Sequence, residues 1–181
     1  MSVSAATTFR QLGSIEKERF LGPGKIRQAG QLILPYFNSS TTLSILKGQP
    51  FVAYGRVVVA EDLIPPQKVG SVLSDWVCEF LIKPDLAGAN ILQDALVYWN
   101  TTLNFVQRLD GNVASGTVVT GIGAATNAQP GAGNGFLLGR AIADRDSMST
   151  LNINGGNLVV AVAGTSKWIT VASLPGAATV Y

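Results

Sequence analysis

The chain has 181 residues, of which 47 % are hydrophobic and only 13 % charged, with no histidine and a single cysteine, Cys78. That length fits one domain with a real core, or a domain of about 130 residues carrying extensions. The missing histidine removes the commonest general base and transition-metal ligand, and one thiol builds no internal disulfide or thiolate cluster, which argues against zinc enzymes and Cys–His hydrolases. A lone cysteine fits synthesis in a reducing compartment. The charged share is about half the usual one and low for a solitary soluble monomer, so a surface covered within an assembly is expected. Met1-Ser2-Val3-Ser4 does not begin a basic region followed by an apolar run, so no secretory leader is expected. No stretch approaches the roughly 18 apolar residues of a membrane span.

Charge divides the chain. Residues 1–43 hold five basic side chains (Arg10, Lys17, Arg19, Lys25, Arg27) against Glu16 and Glu18, whereas residues 44–181 hold eight basic against nine acidic. This predicts a basic, partly extended arm over 1–43 and a compact body over 44–181.

In chain order, Ser14 to Phe20 allows one or two helical turns capped by Ser14, stopped by Leu21-Gly22-Pro23-Gly24. Gln31 to Phe37 is the first extended segment, and Pro35 makes it an edge or unpaired strand. The regular body begins near Ser44. Lys47-Gly48-Gln49-Pro50 reads as a turn, Phe51 to Ala60 as one strand, and Asp62 to Lys68, with Pro65-Pro66, as a loop. Gly70 to Ile82 reads as one long strand with Trp76, Cys78, Phe80 and Ile82 on a shared face. Leu86 to Leu92 is ambiguous, because its apolar spacing permits a helix that Gly88 weakens. Ala95 to Trp99 and Leu103 to Arg108 predict a hairpin around Asn100-Thr101-Thr102. Gly116 to Gly121 and Phe136 to Ala143 read as strands, separated by a Gly/Ala/Asn loop to Gly135. Leu158 to Val162 and Trp168 to Val171 predict a last hairpin. Many short strands broken by Gly, Pro and Asn predict an all-β fold, a compact β-barrel or β-sandwich with an extended N-terminal arm.

Catalytic signals are absent from this reading. Gly121-Ile122-Gly123 has Thr126 where a dinucleotide fingerprint needs its third glycine, and Pro130 soon blocks the helix. Asp144-Arg145-Asp146 reads as a solvated turn rather than a cation site. No catalytic, metal or cofactor residues are therefore assigned, and no cofactor is expected. The arm's basic residues are diluted by glutamates and lack interleaved aromatic rings, so protein contact is favoured over nucleic acid. The interface candidates are Arg10, Lys25, Arg27, Leu32, Leu34, Tyr36 and Phe37, where apolar groups fill pockets on a neighbour and charges steer it. Alternatively, these apolar residues fold back onto their own core. Trp76 and Trp168 lie in apolar strand patterns and are assigned to the core. Tyr98 and Trp99 point to opposite faces, so at most one is buried in a given layer.

Val57-Val58-Val59, Gly70-Ser71-Val72, Phe80-Leu81-Ile82-Lys83-Pro84 and Gln93-Asp94-Ala95-Leu96-Val97-Tyr98-Trp99-Asn100 follow one another, then Leu138-Gly139-Arg140-Ala141 and Leu158 to Val162. In that order, over roughly residues 48–162, these motifs resemble the small capsid cement, or head decoration, proteins of tailed bacteriophages. The resemblance implies a non-enzymatic protein on the outer surface of the virion capsid, made in the host cytoplasm. It would bridge adjacent major capsid protein subunits and hold the expanded shell against internal DNA pressure. The implied partners are the major capsid protein and further copies of the chain, a trimer ahead of a dimer, with neither nucleic acid nor membrane. The alternative reading is a virion-surface adhesin or glycan-binding β module.

Overall fold

The computed structural model describes residues 23–29, 32–82, 91–107, 117–119, 121–143, 157–159 and 167–181. Fourteen strands run through them: β1 (Gly24–Ala29), β2 (Ile33–Phe37), β3 (Pro50–Ala53), β4 (Arg56–Ala60), β5 (Val69–Leu73), β6 (Trp76–Ile82) and β7 (Ile91–Leu92), then β8 (Leu96–Asn100), β9 (Phe105–Gln107), β10 (Thr117–Val119), β11 (Ala124–Thr126), β12 (Gly135–Ala141), β13 (Asn157–Val159) and β14 (Lys167–Ala172). The fold is all-β, and no helix occurs among these residues.

Five strands close on themselves in the order β6-β11-β8-β12-β14 and back to β6. The alternation in β6 explains why. Trp76, Cys78, Phe80 and Ile82 point inward and meet Val97 and Trp99 of β8, Phe136 and Leu138 of β12, and Ile169 and Val171 of β14 in one buried cluster. Trp76, Phe80 and Trp99 form an edge-to-face ladder with centroid spacings of 5.8 and 6.1 Å. Such pairs each add about 0.5–1.5 kcal/mol beyond the area they bury. A strand has two edges, and β14 takes one edge of β6. The other edge is divided: β1 pairs along Trp76 to Phe80, and Ala125 of β11 meets Ile82.

The second sheet has the order β2-β5-β4-β3. It curls, because the rings of Tyr36 on one edge strand and Phe51 on the other lie 4.9 Å apart. Inside the curl Val58, Ala60, Ile64 and Val72 form a small buried cluster, with Leu34, Tyr36, Ile45, Phe51 and Ala53 against it. Ile64 comes from the loop holding Pro65-Pro66 and is anchored by mutual backbone bonds with Ile45 of 2.9 and 3.0 Å. Buried Asn38 ties this end down, its amide donating to the carbonyls of Leu43, Ile64 and Pro65 at 2.8–3.2 Å.

The C-terminal segment joins the two bodies. Leu137 N–H donates to Thr179 O, Tyr181 N–H to Gly135 O, and Ala178 N–H to Gly55 O of the curled sheet, all within 2.9 Å. Tyr181 stacks edge-on against Tyr98 at 5.7 Å. Both Tyr98 and Trp99 are consequently buried, on opposite faces of β8, since the tail covers the outer one. Burial pushes the Tyr98 phenol above its usual 10.0, and neighbouring Tyr181 adds to the rise. The unfolded chain therefore ionises first, so this contribution is intact below about pH 10 and is lost as pH rises through the folded-state value. Urea titrations at stepped alkaline pH should show Tyr98→Phe losing less stability than the unmodified protein above about pH 10. Equal losses would show that the phenol does not titrate differently on folding.

Several local expectations are corrected. Phe51 to Ala60 is a hairpin, not one strand, since Tyr54 (φ 53°) and Gly55 (φ 72°) form a two-residue turn between β3 and β4. Gly70 to Ile82 divides at Ser74-Asp75, where the chain leaves the curled sheet for the barrel. Ser74 N–H there donates to Leu32 O, and Trp76 N–H to Ser173 Oγ. β8 pairs with β11 and β12 rather than with β9, whose partner is β10, so the hairpin around Asn100 does not form. β14 pairs with β6 and β12, while β13 pairs with β7. The Gly/Ala/Asn segment contributes β11, because small side chains let its backbone approach Trp99. β1 and β2 are hydrogen-bonded into the sheets, so the described body starts at Gly24 rather than near Ser44. The readings of Ser14 to Phe20, Gly88 and Asp144-Arg145-Asp146 fall outside the described residues.

Candidate protein-interaction surface

The seven interface candidates separate in space. Arg10 lies outside the described residues, while Lys25 pairs with Glu79 in β1 and Arg27 sits at the register shift between Ile26 and Gln28. Leu34 and Tyr36 turn into the curl and pack on its small core. Leu32 and Phe37 remain 47 % and 51 % exposed.

Register explains this division. Along β2 the burial pattern alternates, with Ile33, Pro35 and Phe37 outward and Leu34 and Tyr36 inward. The outward residues face Leu73, Ser71 and Val69 of β5. Leu73 is covered by the barrel, but the other end of this row is not. Ile33 is 48 % exposed, and the directly opposed pair Phe37 and Val69 is 51 % and 67 % exposed. The result is an apolar row of Ile33, Pro35, Phe37 and Val69 beside Leu32, on the convex side of the sheet. Val69 was not legible as a candidate, because only the β2–β5 register brings it beside Phe37.

The same strand is an edge. Ser74 N–H donates to Leu32 O and Asn38 N–H to Lys68 O, so the even-numbered residues face β5 and the odd-numbered backbone faces outward. Pro35 has no N–H to offer a further strand. Its carbonyl accepts from the Tyr54 hydroxyl, which latches β2 to the β3–β4 turn. The surface thus offers apolar side chains held on a rigid sheet rather than an open ladder.

Chemistry elsewhere is sparse. No group of three or more His, Cys, Asp or Glu gathers among the described residues, and Cys78 is buried in the barrel. Trp76 and Trp99 are core residues, whereas Trp168, assigned to the core by its sequence pattern, is half-buried on the outer face of the barrel, opposite Leu81 in the register. No protein-family model, curated protein or solved structure matches the chain.

Proposed function

We propose that the protein is a capsid cement, or decoration, protein that binds the outside of an expanded phage head and bridges adjacent major capsid subunits. The observation that carries this reading is the exposed apolar row of Ile33, Phe37 and Val69 in a chain with only 13 % charged residues. Apolar anchors on rigid β-structure lose little conformational freedom on docking, which favours a mechanical joint. Binding to the expanded shell alone stabilises that state by linkage, and a lattice of many copies strengthens retention through effective concentration. The motifs behind the family resemblance include Val59, Val97, Trp99 and Leu138, all core residues. They therefore support the fold, and the exposed row supports the docking. Burial of Trp76, Tyr98 and Trp99 weighs against the glycan-binding alternative, which needs exposed rings beside converging polar groups.

Full-length protein mixed with expanded heads and with unexpanded precursors should co-sediment with the expanded form only. Phe37→Asp and Val69→Asp alter exposed positions, so stability should stay within about 0.5 kcal/mol while head occupancy falls at least about tenfold. Unchanged occupancy in both variants would remove the row from the interface.

A further inference from the structure

The segment after β14 is fastened to the body without joining its cores. Neither buried cluster takes a side chain from beyond Val171. β14 pairs with β12 only at Arg140 and Ala141, which leaves residues 135–137 of that edge for another strand. Thr179 and Tyr181 fill this place through the backbone bonds with Leu137 and Gly135, with Val180 opposite Phe136 and the Tyr181 ring on Tyr98. Ser173 N–H and Ala178 N–H donate to the body, but among the described residues the link between them makes no backbone hydrogen bond. That link, Leu174-Pro175-Gly176-Ala177, is exposed, and a cleft of about 130 Å³ lies between it and Val57, Leu137 and Leu138. Gly176 has φ +107°, so the bend that returns the segment to its own barrel depends on glycine.

We propose that residues 178–181 exchange between two copies of the chain, each copy laying its segment on β12 of the other. The place itself specifies the occupant, since this sequence already fits it bond for bond. A foreign strand gains the two backbone bonds alone, whereas a second copy also sets Val180 against Phe136 and Tyr181 against Tyr98. Exchange keeps every one of these contacts. The two forms therefore differ in the shape of the link and in what abutting copies bury. Extended, the link spans about 17 Å from Ser173 to Ala178, enough to cross to a copy packed against this face. Leu32 and Leu174, both exposed and lining one cleft beside the link, supply apolar surface for that packing. Proximity favours the segment's own barrel in dilute solution, so exchange grows with concentration.

The test uses the full-length chain and is independent of binding to heads. Leu137 and Thr179 oppose each other as a hydrogen-bonded pair, a geometry with Cα atoms about 5.5 Å apart and within disulfide reach. Isotope-labelled Leu137→Cys chains are mixed at high concentration with unlabelled Thr179→Cys chains and oxidised. Mass spectrometry of the digest should find a 137–179 disulfide joining labelled to unlabelled chain, a bond that neither variant can form alone. With both cysteines in one chain, oxidation should give covalent dimers at high concentration and internally linked monomers after dilution. Gly176→Val should raise the association constant in sedimentation equilibrium at least about fivefold, because the extended link frees valine from the left-handed bend. None of these positions belongs to a buried cluster, so the variants should fold. Internal disulfides alone at every concentration, no bond between labelled and unlabelled chains, or a Gly176→Val variant that associates no more than the unmodified protein would each overturn the proposal.

Discussion

Replacing Trp99 by alanine is expected to lower the unfolding free energy by about 3–5 kcal/mol, the range for large aromatic deletions in a close-packed core. Trp99 is 2 % exposed and touches three walls of the barrel. Its ring meets Phe80 of β6 edge-on, its backbone pairs with Ala125 of β11 and Phe136 of β12, and its indole N–H donates to Ile122 O at 3.0 Å. Removing it opens a cavity and leaves the Ile122 carbonyl without its donor. Urea denaturation followed by far-ultraviolet circular dichroism reads the loss directly. Trp99→Phe keeps most of the volume but not the donor, and should fall between the two. A loss below about 1 kcal/mol for the alanine variant would mean that the barrel is not packed around this ring.

Gly48→Val is expected to cost at least as much, through backbone rather than cavity. Gly48 has φ +74°, a conformation that a β-branched residue adopts only under strain. A Cβ there would sit 1.8 Å from the carbonyl oxygen of Gly24, so the turn before β3 and the start of β1 cross without room for a side chain. Gly48 N–H also donates to Ala60 O at 2.9 Å, which prevents the turn from simply swinging away. The expected result is detachment of β1 from β6, or failure to fold. Hydrogen exchange separates these outcomes: protection should vanish at Lys25 and Gln28, opposite Glu79 and Val77, while β14 amides facing β6 retain theirs in any folded fraction. Native protection throughout β1 would contradict the crossing.

Much of the architecture is legible from alternation alone. Trp76, Cys78, Phe80 and Ile82 share a face in the sequence and a core in the barrel. Pro35 announces an edge strand, and β2 has one sheet neighbour. The missed features depend on contacts distant in sequence. Tyr54 is a strand-forming residue type, and its left-handed turn is held by a hydroxyl bond to Pro35 O, nineteen positions away. The break at Ser74-Asp75 relies on Leu32 and Ser173, which only the fold brings there. β11 consists of two alanines and a threonine, a composition with weak strand preference that is decided by close approach to Trp99.

The interaction surface follows the same division. Period-two alternation separates Ile33 from Leu34, yet it cannot say which side the curl encloses. That is why Leu34 and Tyr36 fill the inner cluster while Phe37 stands outside with Val69.

The most direct test of the cement reading is an electron cryomicroscopy reconstruction of expanded heads carrying the full-length protein. It should place barrel-sized density outside a continuous shell, with the Phe37–Val69 face turned onto neighbouring capsid subunits. Density inside the shell, no bound density, or attachment that leaves this face in solvent would contradict the account.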